Sequence, residues 1–229
     1  NITGSRENFL KVKKLLNNKF NSLDKKENKV KLDFIPKSYK EAIISGANVN
    51  YVAKSANIKE LKSKFNGKIM LATTILSNPY LYELIRAKGG AYGAGLTISK
   101  NGLLSAYSYR DPNILKTIEN FDKISDLTKN IDISKRDFEN QKISSMGSIL
   151  RPKSPSTLAD EDYVRYKKEN PIDPEKLLSE IKTSTLDEIK AYNDLFKKSM
   201  QEENICVFGN RENITDIKNE FDKIIDLND

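Results

Sequence analysis

Leu81-Tyr82-Glu83-Leu84-Ile85-Arg86-Ala87-Lys88-Gly89-Gly90-Ala91-Tyr92-Gly93-Ala94 carries a helical pattern that stops at a double glycine, with an aromatic residue following at once. Leu81, Leu84 and Ile85 are spaced to bury one helix face. Gly89 stands where a left-handed residue commonly ends a helix. Upstream, Ser77-Asn78-Pro79 supplies a start, with Asn78 as N-cap and Pro79 as the first helical residue. Downstream, strands over Leu96 to Ser99 and Leu103 to Tyr109 flank Asn101-Gly102, a strong hairpin signal. The order is helix, glycines, hairpin. A phosphate-binding loop needs the reverse, a strand before the glycines and a helix after them, because the helix N-terminus supplies the anion-binding amides. That reading is set aside.

Outward from this stretch the chain alternates small groups of strands with helices. Ser5 or Gly4 can cap a helix over about residues 7–18, with Phe9, Val12 and Leu16 as its apolar stripe. A lysine- and asparagine-rich loop follows. Strands are predicted over Lys40 to Ser45 and Val49 to Ala56, joined as a hairpin by Gly46-Ala47-Asn48. Gly67 opens a helix that reaches Leu76. Asp111 and Pro112 can cap and start a long helix over Ile114 to Thr128, and further helices are expected over 134–150, 155–168, 174–181 and 185–200. Thr185 with Glu188 forms a capping box. A strand at Ile205 to Phe208 and a helix from Glu212 close the chain. This pattern predicts an α+β fold, an antiparallel β-sheet covered by helices, in a single domain over residues 1–229.

Composition bounds the function. The chain has 229 residues, 38% of them hydrophobic and 31% charged, with a formal net charge of +7. The basic excess is lysine interleaved with Asp and Glu, as in Lys182, Asp187, Glu188 and Lys190, which is the pattern of a solvated surface. Arginine occurs only singly, so no clustered nucleic-acid surface is expected. No run approaches the length of a membrane-spanning helix. There is no histidine and one cysteine, so a metal held by this chain alone is not expected, nor a disulfide framework. Cys206, in the apolar run Ile205-Cys206-Val207-Phe208, reads as a small core residue. Asn1-Ile2-Thr3-Gly4 lacks an initiator methionine and reads as the end of a strand cut open, as in a piece of a longer chain.

Arg86 and Tyr92 are the candidate site. The blander reading is that Gly89 and Gly90 only end a helix, Tyr92 packs in the sheet, and Arg86 is solvated near a helix C-terminus where the macrodipole favours it. Against it, the glycines bare the backbone for close approach, Tyr92 brings a hydroxyl donor, and the turn can carry Arg86 to the same cleft. A phenol and a guanidinium beside bare backbone suit binding and polarising a peptide carbonyl. Asp160-Glu161-Asp162 reads as a solvated acidic cluster, and Arg110-Asp111 as a strand-to-helix corner.

Arg86-Ala87-Lys88-Gly89-Gly90-Ala91-Tyr92-Gly93-Ala94, with Asn101-Gly102 and Ser108-Tyr109-Arg110-Asp111-Pro112-Asn113, resembles the C-terminal domain of pitrilysin/insulysin-type zinc metallopeptidases, in the presequence protease branch. Asn1-Ile2-Thr3-Gly4, Val49-Asn50-Tyr51-Val52 and Gly209-Asn210 extend the resemblance over nearly the whole chain. It implies one of four similar α+β domains, arranged in two halves that close around a peptide-degrading chamber. The zinc motif of such peptidases lies in the first domain. By the resemblance, Arg86 and Tyr92, with Gly89 and Gly90, face the peptide substrate, and zinc-assisted hydrolysis depends on Zn(2+) bound outside this chain, in the N-terminal half of the same polypeptide. The isolated chain is then inactive. The resemblance also implies a bacterial cytoplasm, or an organellar matrix in a eukaryote. The alternative is a non-catalytic relative in which the same domain serves as a structural or peptide-binding subunit.

Overall fold

Alternation along two strands sets the layers of this computed structural model, which describes residues 4–21, 39–46, 48–167 and 171–227. In Lys40–Ser45 (β1) Ala42 and Ile44 are buried, and in Asn50–Asn57 (β2) Asn50, Val52, Lys54 and Ala56 are, while the residues between them stay accessible. Burial with period two is the mark of a sheet covered on one face. The remaining strands are Gly93–Ile98 (β3), Leu103–Asp111 (β4), Asn204–Asn210 (β5) and Lys223–Asp226 (β6), and the six lie in the order β3-β4-β2-β5-β1-β6. The α+β class expected from the sequence is the one observed. The sheet itself is mixed rather than antiparallel throughout: the pairs β3–β4, β4–β2 and β2–β5 are antiparallel, whereas β1 is parallel to both β5 and β6.

The expected hairpin between β1 and β2 does not form, because β5 lies between them. Ala42, Val207 and Val52 stand in register as one buried row that β5 completes. A local turn signal carries no information about a strand arriving from 150 residues away. The same alternation corrects Cys206. It is exposed, because Ile205 and Val207 take the covered face and Cys206 falls on the other one. β6 was not anticipated. It is four residues long and tied by an exchange in which Asp222 N–H donates to the Lys40 carbonyl (2.8 Å) and Lys40 N–H to the Asp222 carboxylate (3.0 Å).

The helices are Arg6–Phe20 (α1), Gly67–Ile75 (α2), Leu76–Ala87 (α3), Ile114–Asp122 (α4), Ile124–Lys129 (α5) and Lys135–Leu150 (α6). Pro155–Lys167 (α7), Pro174–Thr183 (α8), Leu186–Lys190 (α9), Asn193–Gln201 (α10) and Arg211–Asp216 (α11) complete them. Two expected long helices are each broken, into α4 with α5 and into α9 with α10. Phe121 with Ile124, and Ile189 with Phe196, keep helical spacing on the buried side across each break, so the pattern reads as continuous. The capping box at Thr185 forms, with Glu188 N–H donating to Thr185 Oγ1 (3.3 Å) and Thr185 N–H to the Glu188 carboxylate (3.0 Å). Lys68 pairs with the same carboxylate and holds its pKa below the ordinary value.

The chain divides into two compact units, Asn1–Pro36 with Leu150–Asp173, and Lys37–Ile149 with Pro174–Asp229. In the first, α1 is capped by Ser5, whose hydroxyl accepts from Asn8 N–H (3.3 Å). Its apolar stripe is not buried: Phe9 and Val12 are exposed and Leu16 is half-buried. Periodicity fixes which residues share a face, not what covers it. The expected strand end at Asn1-Ile2-Thr3, and the loop after residue 21, lie outside the described residues. The second unit holds the core. Ile69, Leu71, Ile75, Leu76, Leu81 and Ile85 from α2 and α3 pack with Val52, Leu104, Val207, Phe121 and Phe196. Each such side chain contributes about 1.5–3 kcal/mol on burial.

Candidate functional site

α3 ends in a way that aims its last side chains outward. The helix is wound wide, with Lys88 N–H donating to the Glu83 carbonyl five residues back (3.0 Å), and Asn78 interrupts it with φ −134° and ψ 114° before it resumes at Pro79. At its end the two glycines are needed for different reasons. The left-handed residue is Gly90, with φ +79°, and not Gly89 as the spacing suggested. Gly89 is required by close approach instead, since a Cβ there would lie 2.5 Å from the Ile85 carbonyl oxygen. The wide winding moves the left-handed position one residue along. Gly90 N–H donates to the Arg86 carbonyl (2.9 Å), Ala91 N–H to the Ile85 carbonyl (3.1 Å), and Asn113 Nδ2 to the Gly89 carbonyl (2.5 Å). The turn is thereby fixed on both sides.

This turn brings Arg86 and Tyr92 together. The Arg86 guanidinium carbon lies 5.7 Å from the Tyr92 ring centroid and 4.9 Å from that of Tyr82, one turn earlier on α3. Tyr92 N–H is shared between the Tyr109 and Arg110 carbonyls (3.1 and 3.3 Å), which seats the residue at the edge of β4, yet its side chain stays 62% exposed. The blander reading is half met. Tyr92 does pack on the sheet, edge-to-face with Tyr109 at 5.4 Å, while most of its surface remains open to solvent. Arg86 is exposed and has no carboxylate within 4 Å among the described residues. Its neighbours Lys88 and Glu83 pair with each other instead (3.3 Å).

Three residues of this cluster were not singled out as site residues from the sequence: Tyr82, Tyr109 and Arg110. Tyr82 was legible, because Tyr and Arg four apart on a helix share a face. Tyr109 and Arg110 arrive through the β3–β4 register, which pairs Gly93 with Tyr109. From Tyr92 an aromatic row continues across the accessible sheet face, with Tyr109 to Tyr51 at 5.3 Å and Tyr51 to Phe208 at 5.8 Å. Beneath it, on the covered face, Asn50 Nδ2 donates to the Asp111 carbonyl (2.9 Å), and a Cβ on Gly209 would meet Asn50 Oδ1 at 2.1 Å. Asn50, Asp111 and Gly209 thus lock three distant stretches together under the row. Asp111 holds the strand-to-helix corner, as expected, accepting from Asn113 N–H (2.8 Å) and Thr117 Oγ1 (2.6 Å).

No three His, Cys, Asp or Glu side chains come together as a metal site among the described residues. Within Asp160-Glu161-Asp162, Glu161 pairs with Lys153 (2.6 Å) and Asp162 with Arg165 (3.7 Å), as solvated acids do. With no histidine and one cysteine in the sequence, the donors among the described residues do not fit zinc.

Residues 40–210 match the family model described as the PreP C-terminal domain. The chain belongs to that family. Both Arg86 and Tyr92 fall inside the matched residues. Protein HypA of Clostridium perfringens is 32% identical over 219 residues, covering 95% of this chain and 22% of HypA. Presequence protease 1 of Arabidopsis thaliana, chloroplastic/mitochondrial, is 34% identical over 110 residues, covering 48% of this chain and 10% of that protein. A Bordetella pertussis Tohama I chain assigned to the zinc proteases shares the fold, with a TM-score of 0.54 at 13% identity, covering 74% of this chain and 96% of that one. The PreP C-terminal domain family thus accounts for the α+β fold, and the chain spans about a fifth or less of the curated relatives it matches. No helix among the described residues is long and apolar enough to cross a membrane.

Proposed function

We propose that residues 1–229 are the C-terminal domain of a larger zinc metalloendopeptidase, and that Arg86 and Tyr92 present hydrogen-bond donors to the peptide being cleaved. The observation that carries this reading is the convergence of an uncompensated guanidinium and an exposed phenol, 5.7 Å apart, on a glycine turn that leaves the backbone bare. The Tyr92 hydroxyl donates to the scissile carbonyl, whose oxygen gains charge as the carbonyl becomes tetrahedral. A donor aimed at that oxygen binds the transition state more tightly than the ground state. Arg86 holds a neighbouring substrate carbonyl. Its stacking on Tyr82 at 4.9 Å orients the planar fork before the peptide arrives, so less rotamer freedom is lost on binding.

The metal and the base that activates water belong to the N-terminal half of the same polypeptide, which is this domain's partner in closing the chamber. Zinc there would supply Lewis-acid polarisation and an activated water. The domain's own contribution is to bind and orient the peptide and to help exclude solvent. The compartment follows the source: cytoplasmic in a bacterium, or the organellar matrix by analogy with the presequence proteases.

The division of labour is tested on the chain by itself. After equilibration with zinc and desalting, the purified chain retains well under one equivalent of metal and leaves a mixed peptide pool intact. One tightly held equivalent together with cleavage would place the catalytic centre in this chain and overturn the reading.

A further inference from the structure

Arg110 sits at the centre of an electrostatic arrangement that binding a carbonyl does not require. Its guanidinium carbon is 5.9 Å from the Tyr92 ring centroid and 5.6 Å from that of Tyr109, so two guanidiniums, Arg86 and Arg110, lie within 6 Å of the one exposed Tyr92 ring. Neither has a carboxylate within 4 Å among the described residues. The adjacent acid, Asp111, is fully buried and turned toward Asn113 and Thr117, and Glu83 is paired with Lys88. Two like charges border the same exposed ring with no counter-ion among the described residues.

The backbone makes the choice of residue more pointed. Arg110 has φ +50°, in the left-handed region, where the Tyr92 N–H is shared between two successive carbonyls of β4. A non-glycine residue there costs on the order of 1 kcal/mol, and glycine would adopt the same conformation freely. Lys62 and Glu203 carry a positive φ as well, but of the three only Arg110 stands beside the Tyr92 ring and a second unpaired arginine.

We infer that Arg110 is a carboxylate-recognising residue of the Arg86–Tyr92 site, and that it selects peptides bearing a carboxylate close to the carbonyl that Tyr92 engages. This rests on the proposed reading of Arg86 and Tyr92 as substrate-facing. An extended peptide advances about 3.3–3.6 Å per residue, so the group met by Arg110 lies within about three residues of that carbonyl. The carboxylate is an acidic side chain or a free C-terminus. Both offer the two oxygens that a guanidinium fork binds.

The experiment observes the Arg86 and Arg110 Nε–H signals of the 15N-labelled chain by NMR during titration with three peptides of one sequence. The first carries Asp and an amidated end, the second Asn and a free C-terminus, the third Asn and an amidated end. An ionic strength near 0.15 M limits long-range attraction to the basic surface. The neutral peptide is expected to shift Arg86 alone. At least one carboxylate peptide shifts both arginines and binds about tenfold or more tightly, the order of a charge-assisted hydrogen bond. Which one does so identifies the source of the carboxylate. Arg110→Gly abolishes the difference without lowering the thermal midpoint, whereas Lys100→Ser, which removes the same charge from the β3–β4 turn, preserves it. Equal affinity for all three peptides, with Arg86 shifted and Arg110 silent, overturns the inference and leaves the proposed function standing. A lower midpoint for Arg110→Gly with the charge preference intact assigns Arg110 a structural role and also overturns it. If no peptide moves Arg86 either in the chain or in the full-length protein inactivated in its metal half, the proposed function fails and this inference falls with it.

Discussion

Tyr92→Phe in the full-length peptidase lowers kcat by about a hundredfold or more, with KM and zinc content little changed. The phenol is 62% exposed, so removing its oxygen leaves no cavity, and its ring contacts with Tyr109 and Arg86 survive in phenylalanine. Fold and peptide docking are therefore preserved. What the proposed role of Tyr92 would lose is one donor to the developing oxyanion, worth about 2.7–4 kcal/mol in comparable sites. The kcat/KM ratio falls with kcat, because the hydrogen bond strengthens only in the transition state. Arg86→Ala is expected to act differently, raising KM as well, since a carbonyl held away from the reacting centre is bound in ground and transition states alike. Steady-state kinetics on the two variants separate the roles, and an unaltered kcat for Tyr92→Phe removes Tyr92 from catalysis.

Asp111→Ala lowers the stability of the second unit by about 3 kcal/mol. Its carboxylate is fully buried and satisfies both the Asn113 N–H and the Thr117 hydroxyl, at 2.8 and 2.6 Å. Truncation leaves the Thr117 hydroxyl buried and unmet and takes the acceptor from the part-buried Asn113 N–H, and bonds to a charged acceptor are the more costly kind to lose, at about 1.5–3 kcal/mol each. For a chain of this size that corresponds to a fall in Tm of about 6–12 °C. The damage reaches the site, because Asn113 also donates to the Gly89 carbonyl and so pins the turn between Arg86 and Tyr92. Thermal melts and urea denaturation measure the effect. A loss below about 1 kcal/mol would show that water replaces the carboxylate and that the corner is not held as described.

The parts of the fold that were legible in the sequence are those written in local chemistry. The Thr185–Glu188 capping box and Asn101-Gly102 each act within a few residues, and each appears where expected; Asn78 does leave helical geometry before Pro79, but the helix is counted from Leu76 across that kink and Asn78 makes no side-chain cap bond. What the sequence hid is non-local. The insertion of β5 between β1 and β2 depends on matching Ala42, Val207 and Val52 across the sheet, and no short-range pattern encodes that match. Cys206 was misjudged because an apolar run was read as wholly buried, when its alternation leaves every second residue outside. At the site, Arg86 and Tyr92 stood out because a helix ending in glycines throws nearby side chains toward one place. Arg110 did not, since its relation to Tyr92 is set by the strand register and by a positive φ that the sequence gives no sign of. Even the left-handed glycine moved by one position, from Gly89 to Gly90, because periodicity assumes ordinary α-helical winding and α3 is wound wider.

The central claim, that this domain faces the peptide with Arg86 and Tyr92, is tested most directly by a structure of the full-length peptidase, inactivated in its metal half, with an extended peptide bound. The account predicts the Tyr92 hydroxyl within about 2.5–3.0 Å of the scissile carbonyl oxygen and the Arg86 guanidinium within about 2.7–3.2 Å of a neighbouring carbonyl. A peptide bound for cleavage with both side chains left in solvent would contradict it.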